Sequence, residues 1–428
     1  MKTRSPLLIF ALFAIAAFGI NSVVFTELSH EMAATSGLSA DEVELVKIGF
    51  MITQVLGFMF TPILVRKLGT TLPLHSALVV GLGANLALYW TGQHALLFTL
   101  TWLVSGFFMS MLLVVVNLYL LNTFEQRWLP AIIALTLIFS TLLPMGAYPW
   151  LVAEIVEEFD WSFLNVVSAW LYFSALVVIG VYKPQAIEIE AKPKSSASVY
   201  LILALTMSLV VFLLMRGSYY NWLDSDWFVQ ASSVAAALVL LAVYQLVKTR
   251  HLDTASMQLH GKLKTNVFMY NAFLAGFAVM ASTVLFANFL KMAMHYNNLN
   301  AGYAQLPSFY AMLVGMLVSV LVYYFRRPLA DAVVPFGVLM ILLSVYEFSQ
   351  LPSFVGTESL PIPMLLRGFG VGLLNVSVTI AVLMYFQVGQ RLEGIANFYL
   401  FRTMGGVIGG AFFSFFSCDS KPQRTSIG

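Results

Sequence analysis

The chain predicts an all-α, polytopic membrane protein of about thirteen transmembrane helices. Three observations predict it. The composition is 60% hydrophobic and only 10% charged over 428 residues, whereas soluble domains carry about 25% charged residues. Apolar runs of spanning length follow one another along the whole sequence. Lysine and arginine recur in every second gap between those runs. The net charge of +2 is spread over these gaps and gives no nucleic-acid signature. A single cysteine, Cys418, excludes an intrachain disulfide and a thiolate metal cluster.

A bilayer-crossing helix needs about 20 mainly apolar residues. Runs that meet this lie at roughly 6–27, 43–65, 73–92, 95–122, 129–152, 162–182, 197–216, 227–247, 266–290, 304–325, 332–350, 362–388 and 394–417. They are numbered here as spans one to thirteen. The first, within MKTRSPLLIFALFAIAAFGI, has the regions of a signal peptide. It is read as an uncleaved span because similar spans follow it.

Short cytoplasmic loops collect cations. With the N-terminus inside, Lys2 and Arg4 are followed by inside loops that hold Arg66 and Lys67, Arg127, Lys183 to Lys194, Lys248 to Lys264, Arg326 and Arg327, and Arg391. The outside loops are acidic or neutral, as in AEIVEEFD (153–160) and LDSD (223–226). LVRKLGTT (64–71) is therefore a tight cytoplasmic turn. The tail CDSKPQRTSIG falls outside, and its Lys421 and Arg424 break the pattern.

Span two ends in FTPILVRKLGTT and span ten in VYYFRRPLADA. Each is an outside-to-inside helix closed by a cationic pair. If these loops correspond, one unit begins at span one and the other at span nine. The expected organisation is an N-terminal six-helix bundle (1–183), polar linkers with two inserted spans (184–265), a C-terminal bundle of five spans (266–417) and a tail (418–428). Two facing halves suit a transporter that alternates access to a central site.

At these residues the sequence resembles the major facilitator superfamily, and more narrowly its fourteen-helix drug:proton antiporter branch of the multidrug-efflux type. LVRKLGTT is similar to the loop pattern L-x-D-R-x-G-R-R, with Lys67 and Gly69 in register and Arg66 at the aspartate position. GINSVVFTEL (19–28) is similar to L-D-x-x-I-V-x-x-A-L, with Asn21 at the aspartate position. DWSFLNVV (160–167) resembles the W-x-x-F-x-x-N stretch that opens helix six. RGFGVGLLN (367–375) and EGIANFYLFRTMGGVIGG (393–410) are similar to glycine-rich family segments. The resemblance implies a major facilitator fold whose sixth C-terminal helix is missing from the chain. It also departs in places. The family's helix-four arginine is replaced by Trp102, and the helix-five antiporter motif survives only as Pro144 and Gly146.

The acids and histidines all lie in loops or near helix ends. This argues against a membrane-embedded enzyme, which would need clustered acid–base or metal-ligating groups inside the spans. GKLKT (261–265) lacks the preceding glycine and following hydroxyl of a phosphate-binding loop. No cofactor is expected. Two arginines, Arg367 and Arg402, do lie inside spans. A cation there costs at least ~2.5–3.5 kcal/mol and needs a partner or water. In the fold implied, spans one, four, nine and twelve line the cavity. Candidate substrate contacts are thus Asn21, Asn117, Asn271, Asn375, Arg367 and Arg402. Each has a competing reading as an interhelical hydrogen-bonding group. Glu27, at the outer end of span one, is the candidate proton carrier, with Arg367 as its suggested partner. Arg66, Lys67 and Gly69 form the cytoplasmic-loop motif. Gly405/Gly409, Gly406/Gly410 and Gly368/Gly372 read as sites of close helix approach.

The expected function is secondary transport, as export of small amphipathic or drug-like compounds across the inner (cytoplasmic) membrane, with protons as the coupling ion. An uncoupled facilitator, an uptake carrier and a non-transporting sensor or decayed relative remain open. The expected partners are a small-molecule substrate and the lipid bilayer, with no nucleic acid, and a periplasmic adaptor is left open. The cation count predicts a cytoplasmic N-terminus and an extracytoplasmic C-terminus. A reporter fused after Gly428 should be active only outside the cytoplasm, and a cytoplasmic signal would refute the thirteen-span count.

Overall fold

In the computed structural model, residues 5–91, 93–187, 189, 197–248, 263–326, 330–351 and 357–418 are described. The linker cations Lys192, Lys194, Arg250 and Lys262, together with Arg327, Lys421 and Arg424, lie outside them. The described residues form helices joined by short turns, and twelve of the helices are long and apolar enough to cross a membrane. The spans run Ser5–Glu27, Ala40–Leu68, Thr71–Thr91, Ala95–Thr123, a broken fifth span over 129–158, Phe163–Tyr182, Ala197–Arg216, Asp226–Lys248, Leu263–Asn288, Asn298–Phe325, Ala330–Ser349 and Pro361–Tyr385; the helix Arg391–Cys418 keeps the number thirteen but is not among the twelve. A short helix, Ser29–Ser36, follows span one. The end carrying Arg66 and Arg127 is called inner, and the opposite end outer.

Local chemistry explains the boundaries. Span two begins in a capping box: the Ser39 hydroxyl accepts from the Glu42 amide, and the Glu42 carboxylate accepts from the Ser39 amide. It ends at Gly69, whose φ of 76° favours glycine. Span four is buried all round from Met109 to Leu121, as befits a helix at the centre of a bundle.

Span five was expected to be one continuous helix. It consists instead of Leu129–Leu137, a π-helical turn Ile138–Leu142, Leu143–Gly146 and Tyr148–Glu158. Pro144 and Pro149 explain the break. Each lacks an amide donor, and its ring crowds the carbonyl four residues earlier. A second π turn, Phe289–Ala293, follows the helix of span nine.

The packing is that of two related bundles. Span two packs on span four as span ten packs on span twelve, and span three packs on span four as span eleven does on span twelve. In the first bundle span six covers spans one and three. Among the described residues no helix covers spans nine and eleven in the same way. Their apolar windows are 39% and 22% buried, against 67% and 44% for spans one and three. Span seven packs on spans two, eight and thirteen, and span eight packs mainly on span seven. Span seven is pinned at its outer end by Arg216, which donates to the Asp41 carboxylate at 2.6 Å and lies over the Tyr219 ring.

Spans nine and thirteen make the tightest seam. A Cβ at Gly405 would collide with the Phe273 carbonyl, and one at Gly276 with the Arg402 carbonyl. Replacing Gly405 with Val should therefore separate the two helices and cost about 1–3 kcal/mol. The measurement is thermal unfolding in detergent. Gly83→Val, at an exposed position with nothing within 4 Å, should leave the midpoint unchanged.

Candidate functional site

Spans one, four and twelve are, with span thirteen, the most buried helices among the described residues. Serines within spans four and nine bond to their own helices. Ser105 donates to Thr101, Ser110 to Gly106 and Phe107, and Ser282 to Val279, which satisfies the hydroxyl locally. The asparagines differ among themselves. Asn21 is buried and its Oδ1 has no hydrogen-bond partner. Asn375 is buried with Nδ2 unpartnered. Asn271 is half-buried on span nine. Asn117 lies near the inner end of span four, where it donates to the Leu113 carbonyl and, at 3.2 Å, to the Tyr399 hydroxyl of span thirteen. It therefore links the two bundles near their inner end. Trp102, at the family's arginine position, is buried edge-on against Phe50 and Phe98.

The two arginines have different surroundings. Arg367 is fully buried. It donates to the Thr283 hydroxyl at 2.8 Å and to the Ser308 hydroxyl at 3.4 Å, and its guanidinium lies 5.0 Å from the Phe286 ring centroid. Its Nε has no partner. Arg402 is only partly buried, although it stands about 16 Å along span thirteen from Arg391 at 1.5 Å per residue. It reaches across to the other bundle and donates to Thr141 in the π turn of span five at 3.3 Å. π turns inside helices frequently mark functional positions.

Polar links between the bundles also occur at both ends. At the outer end Glu27 accepts from Lys291 Nζ at 2.9 Å, and Glu31 accepts from Asn298 at 3.1 Å. The suggested Glu27–Arg367 pairing is thus replaced by Glu27–Lys291, because the π turn after span nine brings Lys291 to the end of span one. Trp150 stacks at a tilt on Tyr303, and the backbone at Gly302 presses on Trp150.

At the inner end Arg66 of span two forms an ion pair with Glu393 of span thirteen; their side chains are 18% and 4% exposed. Arg391 donates to the Leu121 carbonyl at 2.6 Å and to Asn122 Oδ1 at 3.0 Å. Phe58 stacks on Tyr399. Lys67 is exposed, and the buried Thr70 hydroxyl accepts from Tyr119 and from the Ile187 amide. Arginine at the family's aspartate position thus meets an acid on the facing helix. Sequence reasoning identified Arg66 but not Glu393, Lys291, Thr141 or Tyr399. Glu393 was findable as the one acid in the apolar opening of span thirteen, whereas Lys291 depends on an unforeseen π turn.

No protein-family model and no curated protein matches the sequence. Solved structures do match the fold. The chain is similar to the human organic anion transporter MFSD10 (TETRAN), with TM-score 0.65 and 12% identity over 97% of this chain and 93% of that one. It is also similar to an auto-inhibited peptide transporter of the POT family, with TM-score 0.58 and 14% identity over 96% and 89%. Both neighbours have the major facilitator fold, and at these identities the likeness is one of fold. The chain is thus a multi-pass membrane protein of that fold.

Removing one partner of a buried ion pair costs about 3–5 kcal/mol, because the other charge is left uncompensated. Arg66→Ala should accordingly lower the unfolding midpoint in detergent. The exchange Arg66→Glu with Glu393→Arg should restore most of the loss. A swap no better than the single variants would show that the pair is not the stabilising contact.

Proposed function

We propose that the protein is a secondary transporter that carries small amphipathic compounds outward by alternating access. The supporting observation is the distribution of polar links between the two bundles. Ion pairs join them at the inner end through Arg66–Glu393 and at the outer end through Glu27–Lys291. Between these ends lie buried groups with incomplete partners, Asn21, Asn375 and Arg367. Opening either end breaks a localised ion pair together with the few contacts beside it. The two solved neighbours of the same fold are both described as transporters.

In this reading Asn21, Asn271, Asn375, Arg367 and Arg402 face the cargo, and Asn117 and Tyr399 belong to the inner closure. Glu27 couples protons to the outer closure. Its protonation removes the negative half of the Glu27–Lys291 pair, and Lys291 then hydrates or finds another acceptor. Proton entry from outside thereby favours the outward-open form in which cargo leaves.

The test uses full-length protein in proteoliposomes with an imposed proton gradient and a panel of small amphipathic cations, anions and zwitterions. Wild type should transport at least one of them faster with the gradient than without. Glu27→Gln should lose the acceleration, roughly tenfold or more, while exchange of the same compound without a gradient persists. Gradient-driven transport by Glu27→Gln at the wild-type rate would eliminate Glu27 as the carrier. Wild-type transport that is indifferent to the gradient would make the protein a facilitator.

A further inference from the structure

We infer that the central site binds an organic anion, and that Arg402 holds its charged head with Arg367 behind it. The inference deepens the transporter reading by naming the chemistry of the cargo. It starts from charge compensation. Four other cations of the spans that lie at least partly buried face an acid: Lys47 pairs with Glu44, Arg66 with Glu393, Arg216 with Asp41 and Lys291 with Glu27. Arg391, near the inner end, is held by the Leu121 carbonyl and Asn122. Arg367 and Arg402 lie inside the spans and have no acid among the described residues. Their contacts are three hydroxyls, Thr283, Ser308 and Thr141, and the faces of Phe286 and Phe398.

An isolated buried cation is unfavourable unless a charge or several acceptors compensate it. Hydroxyls are weak compensation, but they suit a further purpose. Thr283 accepts from Arg367 while donating to the Val279 carbonyl, whereas Thr141 and Ser308 accept from an arginine and can still donate their own protons to a third group. Arginine and hydroxyl together thus present donors to an anion. A cationic cargo would meet two positive charges and no carboxylate here.

The placement is also specific. Arg402 is partly exposed although it lies deep within its span, and its hydrogen bond crosses between the bundles to Thr141 in the π turn. An anion accepting from Arg402 would take the place of a long 3.3 Å contact. Arg402 packs at the level of Gly276 on span nine, and Arg367 at the level of Thr283. Seven residues of helix separate these levels, about 10 Å. Arg367 therefore lies further toward the outer end and adds positive potential along one path.

The test uses purified full-length protein in a neutral detergent and four probes with one ring system: 1-naphthoate, naphthalene-2-sulfonate, 1-naphthylmethylammonium and methyl 1-naphthoate. Ligands that bind the folded form raise its unfolding midpoint. Both anions should raise the wild-type midpoint by about 3–6 °C at saturating concentration, and the ammonium and the ester should not. Arg402→Gln should lose the shift and Arg367→Gln should weaken anion binding roughly tenfold. Without ligand, Arg402→Gln should be at least as stable as wild type, because no acid loses a partner. A clear loss of ligand-free stability would identify Arg402 as a structural clamp and overturn the inference. So would equal stabilisation by the ammonium, no stabilisation by either anion, or wild-type anion binding by Arg402→Gln. If Arg402→Gln cannot be recovered folded, Arg402→Lys decides: loss of the forked donor should weaken naphthoate binding about tenfold, and unchanged binding would overturn the assignment. Proteoliposome counterflow of the same probes separates the two readings. Anion binding without counterflow keeps the site and removes transport, and counterflow of the ammonium but not the naphthoate does the reverse.

Discussion

A hydrocarbon interior cannot hydrate charge, and this constraint arranges most of what is distinctive in the molecule. Every ionised group in a span must reach an end, find a partner or face a cavity. Glu27, Glu393, Asp41 and Lys291 reach helix ends and pair there. Those pairs cross between helices that are distant in sequence, so neutralising charge also fastens the assembly. Span two is fastened to span thirteen, span two to span seven, and span one to the turn after span nine. The same rule makes Arg367 and Arg402 conspicuous, because they satisfy it only through hydroxyls and ring faces.

The ion pairs at the two ends differ in solvation, and in the proposed alternating-access reading that bears on which end opens more easily. Glu393 is almost fully covered, and a turn and a half further along its helix Tyr399 adds contacts to Asn117 and Phe58. Lys291 is 30% exposed, and its pair sits at a wetter edge. A partly hydrated pair contributes less than a buried one and is more easily separated. The outer closure is thus the weaker of the two. The inner closure also draws on the all-round burial of span four from Met109 to Leu121, so opening it must expose more apolar surface.

Much of this was legible in the sequence, for identifiable reasons. Apolar length gives the spans directly, and the cationic pair in LVRKLGTT marks a tight turn whose Gly69 has positive φ. The glycine spacing in span thirteen corresponds to its seam with span nine. The break in span five was not foreseen, although Pro144 and Pro149 were visible, because proline within a span is often absorbed as a bend. Partners across the bundles were the least legible. A sequence shows that Glu27 needs a cation, but whether Arg367 or Lys291 supplies it depends on a π turn that advances the chain by one residue. Asn117 illustrates the same limit: its helix suggested the cavity, but its depth along that helix puts it beside Tyr399.

The departures from the family pattern form a connected set. In the first bundle the expected arginine is Trp102, held among Phe50 and Phe98, and the expected aspartate on span one is Asn21. Both changes remove charge, leaving that side of the centre neutral. In the second bundle spans twelve and thirteen carry the fully buried Arg367 and the partly buried Arg402. At the inner turn the sign is reversed, with Arg66 on the first bundle and Glu393 on the second. In the proposed reading, charge recognition at the centre rests with the second bundle, while the first contributes neutral amides and one hydroxyl, Thr141, that reaches Arg402. An anion seated between them would neutralise the arginine and still accept a hydrogen bond from the opposite bundle. The cargo would then supply the missing negative charge of the interface, and the empty and loaded carriers would differ most in the free energy of bringing the two bundles together.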